Sequence, residues 1–154
     1  MSLSPPDRAA IDDLLAQYAF AIDMRVWDDL RSVFADDAEI DYSGGQQRHA
    51  GIENIVEFFR ATAGRVAATQ HLLHTSRVWP TGPDAAAGLT HVTAHHIAAG
   101  EPRPAPPSAT FTVTGTYTDR FVRTPAGWRI IARRLDLLTR AGDPALLHPN
   151  RARS

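Results

Sequence analysis

Apolar residues recur at steps of three and four positions over the first part of the chain, which is the spacing of a buried helical stripe. Ahead of the stripe, Ser4-Pro5-Pro6-Asp7 combines a capping hydroxyl, two prolines and an acid, as helix starts commonly do. We therefore predict a first helix from this start to about Met24. Its buried stripe comprises Ile11, Leu14, Leu15, Tyr18 and Ile22.

Shorter elements are predicted next. A second short helix begins at Val26 and ends at Asp36-Asp37. Residues 38–42 predict a strand and residues 46–49 a return strand, on either side of a Ser-Gly-Gly turn. A third helix is predicted over 51–63. The inward-facing residues of these two helices are Trp27, Leu30, Val33, Phe34, Ile52, Ile55, Val56 and Phe59.

The rest of the chain predicts four long strands, over 70–79, 85–98, 110–124 and 128–140. Turns rich in proline and glycine separate them, so hairpin connections are expected and the sheet is mostly antiparallel. In the third of these strands apolar residues alternate with threonines, which predicts one buried face and one polar face. Its buried face comprises Phe111, Val113, Gly115, Tyr117 and Phe121.

Helices first and antiparallel strands afterwards predict an α+β fold. Strands of this length have to curve to cover three helices, so we expect a curved, mostly antiparallel sheet wrapped around the three N-terminal helices. Such a cone encloses an internal pocket, which is a natural site for a small molecule. We expect residues 1–140 to form this one domain, and residues 141–154, which lack periodicity, to form a C-terminal tail.

Composition removes several classes of chemistry. The 154 residues include no cysteine, and all 16 basic residues are arginine, which excludes thiolate nucleophiles, lysine Schiff bases and P-loops. The formal net charge of -1 offers no basic field for nucleic acid or an anionic membrane. Because no apolar run is long enough to span a bilayer, we expect a cytoplasmic protein that binds neither nucleic acid nor membrane.

One carboxylate interrupts the buried stripe of the first helix. Asp23 lies eight residues after Leu15 and four after Ala19, which places it along the buried side. Burying a carboxylate is costly unless it has a partner. Asp23 is therefore expected either to form an ion pair with an arginine such as Arg77 or Arg134, or to take part in chemistry.

Histidines on the predicted strands are candidate partners for this carboxylate. Strand parity puts His71 and His74 on opposite faces, which argues against a metal site on this pair. In the next strand His96 shares a face with small apolar residues and is expected to point inward, whereas His95 points to the other face. A buried carboxylate beside an imidazole transfers protons near neutral pH and requires neither a metal nor an organic cofactor.

Several segments together resemble one known family. These are residues 18–31, 34–38 and 40–42, then Thr69-Gln70-His71, and finally Gly127-Trp128-Arg129-Ile130. They are similar to the SnoaL-like branch of the nuclear transport factor 2-like superfamily, and the similarity extends over nearly the whole chain. Within that superfamily the active-site pattern is most similar to the scytalone dehydratase family.

The resemblance implies a role for each matching residue. Asp23 orients an imidazole that acts as general base or acid, and the family pattern places that imidazole at His96, with His95 as the alternative. His71 assists proton delivery, and Tyr42 stabilises a developing oxyanion. Further residues expected to contact the substrate are Tyr18, His74, His95, Tyr117 and Phe111.

The function implied is that of a cofactor-independent, dehydratase-like lyase or isomerase. Its substrate is expected to be a small, largely apolar hydroxy-carbonyl compound or cyclic ketone. The family's second active-site tyrosine is replaced by Ile22 here, which argues against scytalone itself as the substrate. A polyketide-type cyclase and a noncatalytic ligand-binding protein, similar to dioxygenase beta subunits, are the alternatives. The resemblance also implies a homodimer formed through the threonine-rich face of the sheet.

Overall fold

The computed structural model describes residues 2–147, which form helices followed by strands. Helix α1 spans Pro5–Asp23 and helix α2 spans Ile52–Thr62. Short 3-10 helices occupy Trp27–Ser32, Ala63–Arg65, Pro107–Ala109 and Pro144–Leu146. The strands are β1 Phe34–Asp41, β2 Arg48–Ala50, β3 Ala68–Gly82, β4 Ala85–Ile97, β5 Thr110–Thr124 and β6 Gly127–Gly142.

The six strands form one sheet in the order β2-β1-β6-β5-β4-β3. All neighbouring pairs are antiparallel except β1 and β6, which run parallel. The prediction of an α+β fold with a mostly antiparallel sheet is therefore confirmed. The order leaves β3 at one edge, so some backbone N–H groups of β3 have no neighbouring strand to bind.

Helix α1 forms as the sequence predicts. The Ser4 hydroxyl accepts a hydrogen bond from the backbone N–H of Asp7, and this satisfies one of the free donors of the first turn. All five residues of the predicted apolar stripe are buried. They pack into a core that also contains Phe34 and Phe59. In β5 the predicted alternation also holds, because every second residue from Phe111 to Phe121 is buried.

The prediction for the second helix is wrong at its end. The 3-10 helix stops at Ser32, and β1 already begins at Phe34, so Asp36 and Asp37 lie within a strand. The physical reason is a nonlocal pairing: Phe34 lies opposite Ile130 of β6. Both aspartates are exposed on β1, and exposed acids resemble a helix end when the partner strand is not known.

The segment predicted as a tail begins within the sheet. Strand β6 extends to Gly142, and a 3-10 turn follows at once. Leu146 and Leu147 then pack against Ala94 and Phe111 of the inner sheet face. This part of the segment therefore covers the chain's own interior, and residues 148–154 lie outside the described residues. No helix of the described chain is long and apolar enough to cross a membrane.

Candidate active site

A cavity of about 850 Å³ opens between α2 and the inner face of the sheet. This volume lies in the upper part of the range for small-molecule sites, and it is large enough for a fused bicyclic ring. Aromatic side chains form much of its wall, including Phe58, Phe59 and Phe111. Polar side chains that carry chemistry also reach it, namely Tyr42, Tyr117, His71 and His96.

Asp23 and His71 form a close pair beside this cavity. Asp23 is the last residue of α1, and its Oδ1 atom lies 2.7 Å from Nδ1 of His71 on β3. The second carboxylate oxygen, Oδ2, accepts the backbone N–H of His71 at 2.8 Å. Because an ionised carboxylate only accepts hydrogen bonds, Nδ1 carries the proton. In the neutral form of this tautomer, Nε2 carries the lone pair that a general base requires.

Two further residues hold the Asp23 carboxylate in place. The Thr69 hydroxyl donates to Oδ1 of Asp23 at 2.8 Å and accepts from Nη1 of Arg25 at 2.9 Å. Arg25 adopts a left-handed backbone with φ of 62°, a conformation that costs free energy and often occurs at functional sites. Burial raises the pKa of Asp23, but hydrogen bonds from His71 and Thr69 outweigh it and hold that pKa below its usual value.

The structure corrects the partner expected for Asp23. The carboxylate pairs with His71 and not with His96, and it forms no ion pair with Arg77 or Arg134. The reason is the position of β3 at the sheet edge, where the backbone N–H of His71 points away from β4 and toward α1. His96 lies one strand further in, with its ring centroid 6.1 Å from that of His71.

His96 is a buried imidazole whose proton position is set by the backbone. Its Nδ1 atom lies 2.9 Å from the carbonyl oxygen of Phe111, which can only accept, so Nδ1 donates. Burial lowers the pKa of His96 to about 4, because charging an imidazole away from water is unfavourable. His96 is therefore neutral near pH 7, and its Nε2 is a hydrogen-bond acceptor for a ligand in the cavity.

This lowered pKa predicts acid sensitivity of folding. Between pH 6.5 and about 4 the unfolded chain binds a proton at His96 that the folded chain does not, so stability falls as pH falls through this window. From pH 7 to pH 5 we expect this residue to remove about 1–2 kcal/mol. Urea denaturation of wild type and His96→Gln at both pH values measures it. If wild type and His96→Gln lose equal free energy of unfolding between pH 7 and pH 5, the prediction is contradicted. The control is His91→Gln, which changes an exposed histidine of β4.

Three tyrosine hydroxyls form a chain at the wall of the cavity. The hydroxyl of Tyr18 lies 2.9 Å from that of Tyr42 and 3.1 Å from that of Tyr117. Tyr42 and Tyr117 line the cavity, whereas Tyr18 is fully buried behind them. Burial raises the pKa of all three phenols well above the usual value, so each keeps its proton.

The position of the hydroxyls shows what this tyrosine cluster offers a ligand. Tyr18 bonds to both other hydroxyls, and Tyr42 and Tyr117 also interact with each other through their side chains. Each protonated hydroxyl can donate one hydrogen bond. Only Tyr42 and Tyr117 line the cavity, so these two are placed to donate to a ligand there. A donor of this kind is what an oxyanion requires.

A buried ion pair lies directly behind the tyrosines. Arg133 of β6 donates from Nε and Nη2 to both carboxylate oxygens of Asp119 on β5, at 2.7 and 2.8 Å. Its guanidinium lies 4.2 Å from the ring centre of Tyr18 and 4.0 Å from that of Tyr117. Sequence reasoning missed Asp119, although it occupies an inward position in the alternation of β5.

The remaining predicted site residues occupy three kinds of position. Phe111 and Tyr117 line the cavity, as expected for substrate contacts. His74 and His95 do not line it, because their rings bond to Thr93 and Thr112 on the opposite face of the sheet. Tyr18 contributes only through its hydrogen bonds.

Among residues 2–147 no cluster of three or more His, Asp or Glu side chains could hold a metal ion.

The fold and the site together define a small α+β cavity protein with an Asp–His pair at the cavity wall. Residues 5–134 match the SnoaL-like domain family. The chain belongs to this family, a branch of the nuclear transport factor 2-like superfamily.

Similar proteins share most of this chain. The uncharacterised protein Rv2910c of Mycobacterium tuberculosis is 34% identical over 127 residues, which is 82% of either chain. A proposed aromatic ring hydroxylase from Novosphingobium aromaticivorans is 27% identical, with a TM-score of 0.81 over 94% of this chain and 99% of that one.

Two more distant structures share the fold. A proposed scytalone dehydratase from Novosphingobium aromaticivorans has a TM-score of 0.75 at 19% identity, over 96% of this chain and 94% of that chain. A hexachlorocyclohexane dehydrochlorinase from Novosphingobium barchaimii has a TM-score of 0.74 at 19% identity, over 89% of this chain and 90% of that chain. The fold is thus shared with a dehydratase and a dehydrochlorinase.

Proposed function

We propose that the protein is a cofactor-independent lyase or isomerase that removes a proton next to a carbonyl group. The observation that carries this proposal is the Asp23–His71 pair, joined at 2.7 Å with the imidazole at the cavity wall. A general base needs a lone pair, a fixed tautomer and access to substrate. Asp23 provides the fixed tautomer, and the cavity provides access.

The elimination uses three groups of this chain. Nε2 of His71 takes a proton from the carbon next to the carbonyl, and Asp23 stabilises the imidazolium that forms. The electron pair moves onto the carbonyl oxygen, which accepts a hydrogen bond from the hydroxyl of Tyr42 or Tyr117. When the carbonyl re-forms, the β-hydroxyl leaves with the proton from His71 as water, and a carbon–carbon double bond remains.

His96 completes this arrangement as an acceptor. Its neutral Nε2 can take a hydrogen bond from the substrate hydroxyl before that group leaves. Where the substrate carries a β,γ double bond in place of a leaving group, the same step gives a dienolate, and His71 can return the proton to its γ-carbon, which is an isomerisation. Proton abstraction is therefore the step common to both reactions.

Two reactions test this proposal. 3-Hydroxy-1-tetralone loses water to give fluorescent 1-naphthol, and β-tetralone exchanges its α-protons in D₂O, which NMR follows without any leaving group. We expect wild type to accelerate at least the exchange. Tyr42→Phe and Tyr117→Phe keep the rings, and the variant that lacks the donor to the oxyanion is expected to slow the exchange by about ten- to a thousandfold. Rates equal to buffer in wild type would instead favour a noncatalytic ligand-binding protein.

The homodimer expected from the family resemblance remains a proposal of the same kind. The outer face of β5 carries threonines at every second position from Thr110 to Thr118, each of them only partly buried. Sedimentation of the purified chain at micromolar concentration measures the state directly, and a monomer would contradict it.

A further inference from the structure

The charged side chains that line the cavity are all basic. Arg65 and Arg140 belong to its lining, and no Asp or Glu of residues 2–147 does. The protein as a whole has 17 acidic and 16 basic residues, so this bias does not follow from composition. The side chain of neither arginine forms a hydrogen bond or an ion pair with another residue of the described chain. Both guanidinium groups are therefore free to bind a ligand.

Burial and strand register distinguish the two ends of the cavity. Tyr117 is buried deep in the sheet, opposite Leu135, whereas Arg65 and Arg140 are exposed and mark the mouth. The buried side chains of Phe111 and His96 lie in the wall near Arg140, which pairs with Val113. Exposed amide side chains, Gln46 and Gln47, line the cavity as well. A molecule inside therefore meets buried aromatic and imidazole side chains in the interior and cationic and amide donors where the cavity is exposed.

We propose that the molecule taken by this cavity carries an acidic group that binds Arg65 and Arg140 at the mouth, while its apolar ring system extends inward to His71. The proposal names the substrate class for the reaction above and to that extent rests on the proposed function. It also refines the expectation of a largely apolar substrate. The planar fork of arginine binds carboxylate and phosphate oxygens in pairs, and a neutral carbonyl or amide binds it less strongly.

The charges around the cavity also indicate where the acidic group of the ligand binds. An anionic group placed next to His71 would lose its hydration and lie close to the Asp23 carboxylate, which is unfavourable. At the mouth it remains partly hydrated and meets two guanidinium groups. The acid therefore orients the molecule so that its neutral end reaches the general base.

Three probes that share one ring system test this inference by titration calorimetry. They are 2-naphthoate, its neutral isostere 2-naphthamide, and 2-naphthyl phosphate. We expect wild type to bind 2-naphthoate more tightly than 2-naphthamide, with a difference that shrinks as salt is added. Comparison of 2-naphthoate with 2-naphthyl phosphate shows whether the site prefers a carboxylate or a phosphate as the acidic group.

Arginine variants locate the contact. Arg65→Gln and Arg140→Gln are each expected to weaken 2-naphthoate binding about two- to fivefold, as for partly exposed ion pairs, and to leave 2-naphthamide binding unchanged. Matched controls are Arg60→Gln and Arg134→Gln. Arg60 lies on α2, five residues before Arg65, and Arg134 lies on the same strand as Arg140. Both control residues are exposed and lie outside the lining. Equal affinity for acid and amide in wild type, or no binding of either, would overturn the inference.

The outcome separates this inference from the proposed reaction. Selective binding of 2-naphthoate without any exchange or dehydration would support the acidic ligand and reject the catalysis. Exchange of β-tetralone by His71, with no preference for the acid over the amide, would reject the acidic ligand and leave the catalysis standing.

Discussion

His71→Ala is expected to lower the rate of β-tetralone exchange by about a hundred- to ten-thousandfold, which is the range for loss of a positioned general base. Asp23→Asn is expected to have a similar effect for a different reason. The amide has an oxygen acceptor and an NH₂ donor, so it no longer selects the Nδ1–H tautomer or stabilises an imidazolium. Rates measured with unchanged far-UV circular dichroism separate these losses from unfolding.

Controls for this pair come from the same sheet. His91→Ala removes an exposed imidazole from β4 and is expected to leave the rate unchanged. Thr69→Val removes one of the hydrogen bonds to Asp23 and is expected to give an intermediate loss with a changed pH profile. If His71→Ala and His91→Ala exchange β-tetralone equally fast, the pair is not the catalytic unit.

Asp119→Ala is expected to destabilise the fold by about 3–5 kcal/mol, because it leaves the Arg133 guanidinium buried without its counter-charge. Both side chains of this pair are fully buried, at 0% exposure each. Arg133 also contacts the rings of Tyr18 and Tyr117, so a shift of its side chain after Asp119 is lost disturbs the tyrosines as well. Urea denaturation at pH 7 measures the change.

A double variant and an exposed ion pair serve as comparisons for the predicted loss of stability in Asp119→Ala. The double change Asp119→Leu with Arg133→Met removes both charges and keeps apolar volume, so it is expected to recover much of the loss. The pair Arg134–Asp136 lies on the same strand but is about half exposed, and Asp136→Asn should cost less than about 1 kcal/mol. Equal losses for Asp119→Ala and Asp136→Asn would contradict the account.

Local patterns predicted most of the secondary structure. The stripe of α1 and the alternation of β5 both depend on one buried side, and burial of that side is visible as a period in the chain. The start of β1 could not be read in the same way. Its identity depends on pairing with β6, nearly a hundred residues later, while its two exposed aspartates suggest a helix end.

Four of the residues predicted for the candidate site lie close together, whereas their contacts differ from those expected, and their roles in catalysis stay a prediction. Asp23, His71, His96 and Tyr42 do meet at one cavity or support it. Their partners were assigned differently, because partner choice depends on which strand lies at the edge of the sheet. Likewise, Asp119 occupies an inward position that parity indicates, but its pairing with Arg133 depends on the register between β5 and β6.

The sequence by itself determined the α+β class, the buried faces and the chemistry excluded by the absence of cysteine and lysine. Each of these depends on residue type or on spacing along one element. Only the tertiary structure decided that Asp23 binds His71, that three tyrosine hydroxyls meet behind the cavity wall, and that two arginines whose side chains have no partner within residues 2–147 line the cavity. Those contacts join residues far apart in the chain, and no local periodicity encodes which distant side chains the folded sheet brings within hydrogen-bonding distance.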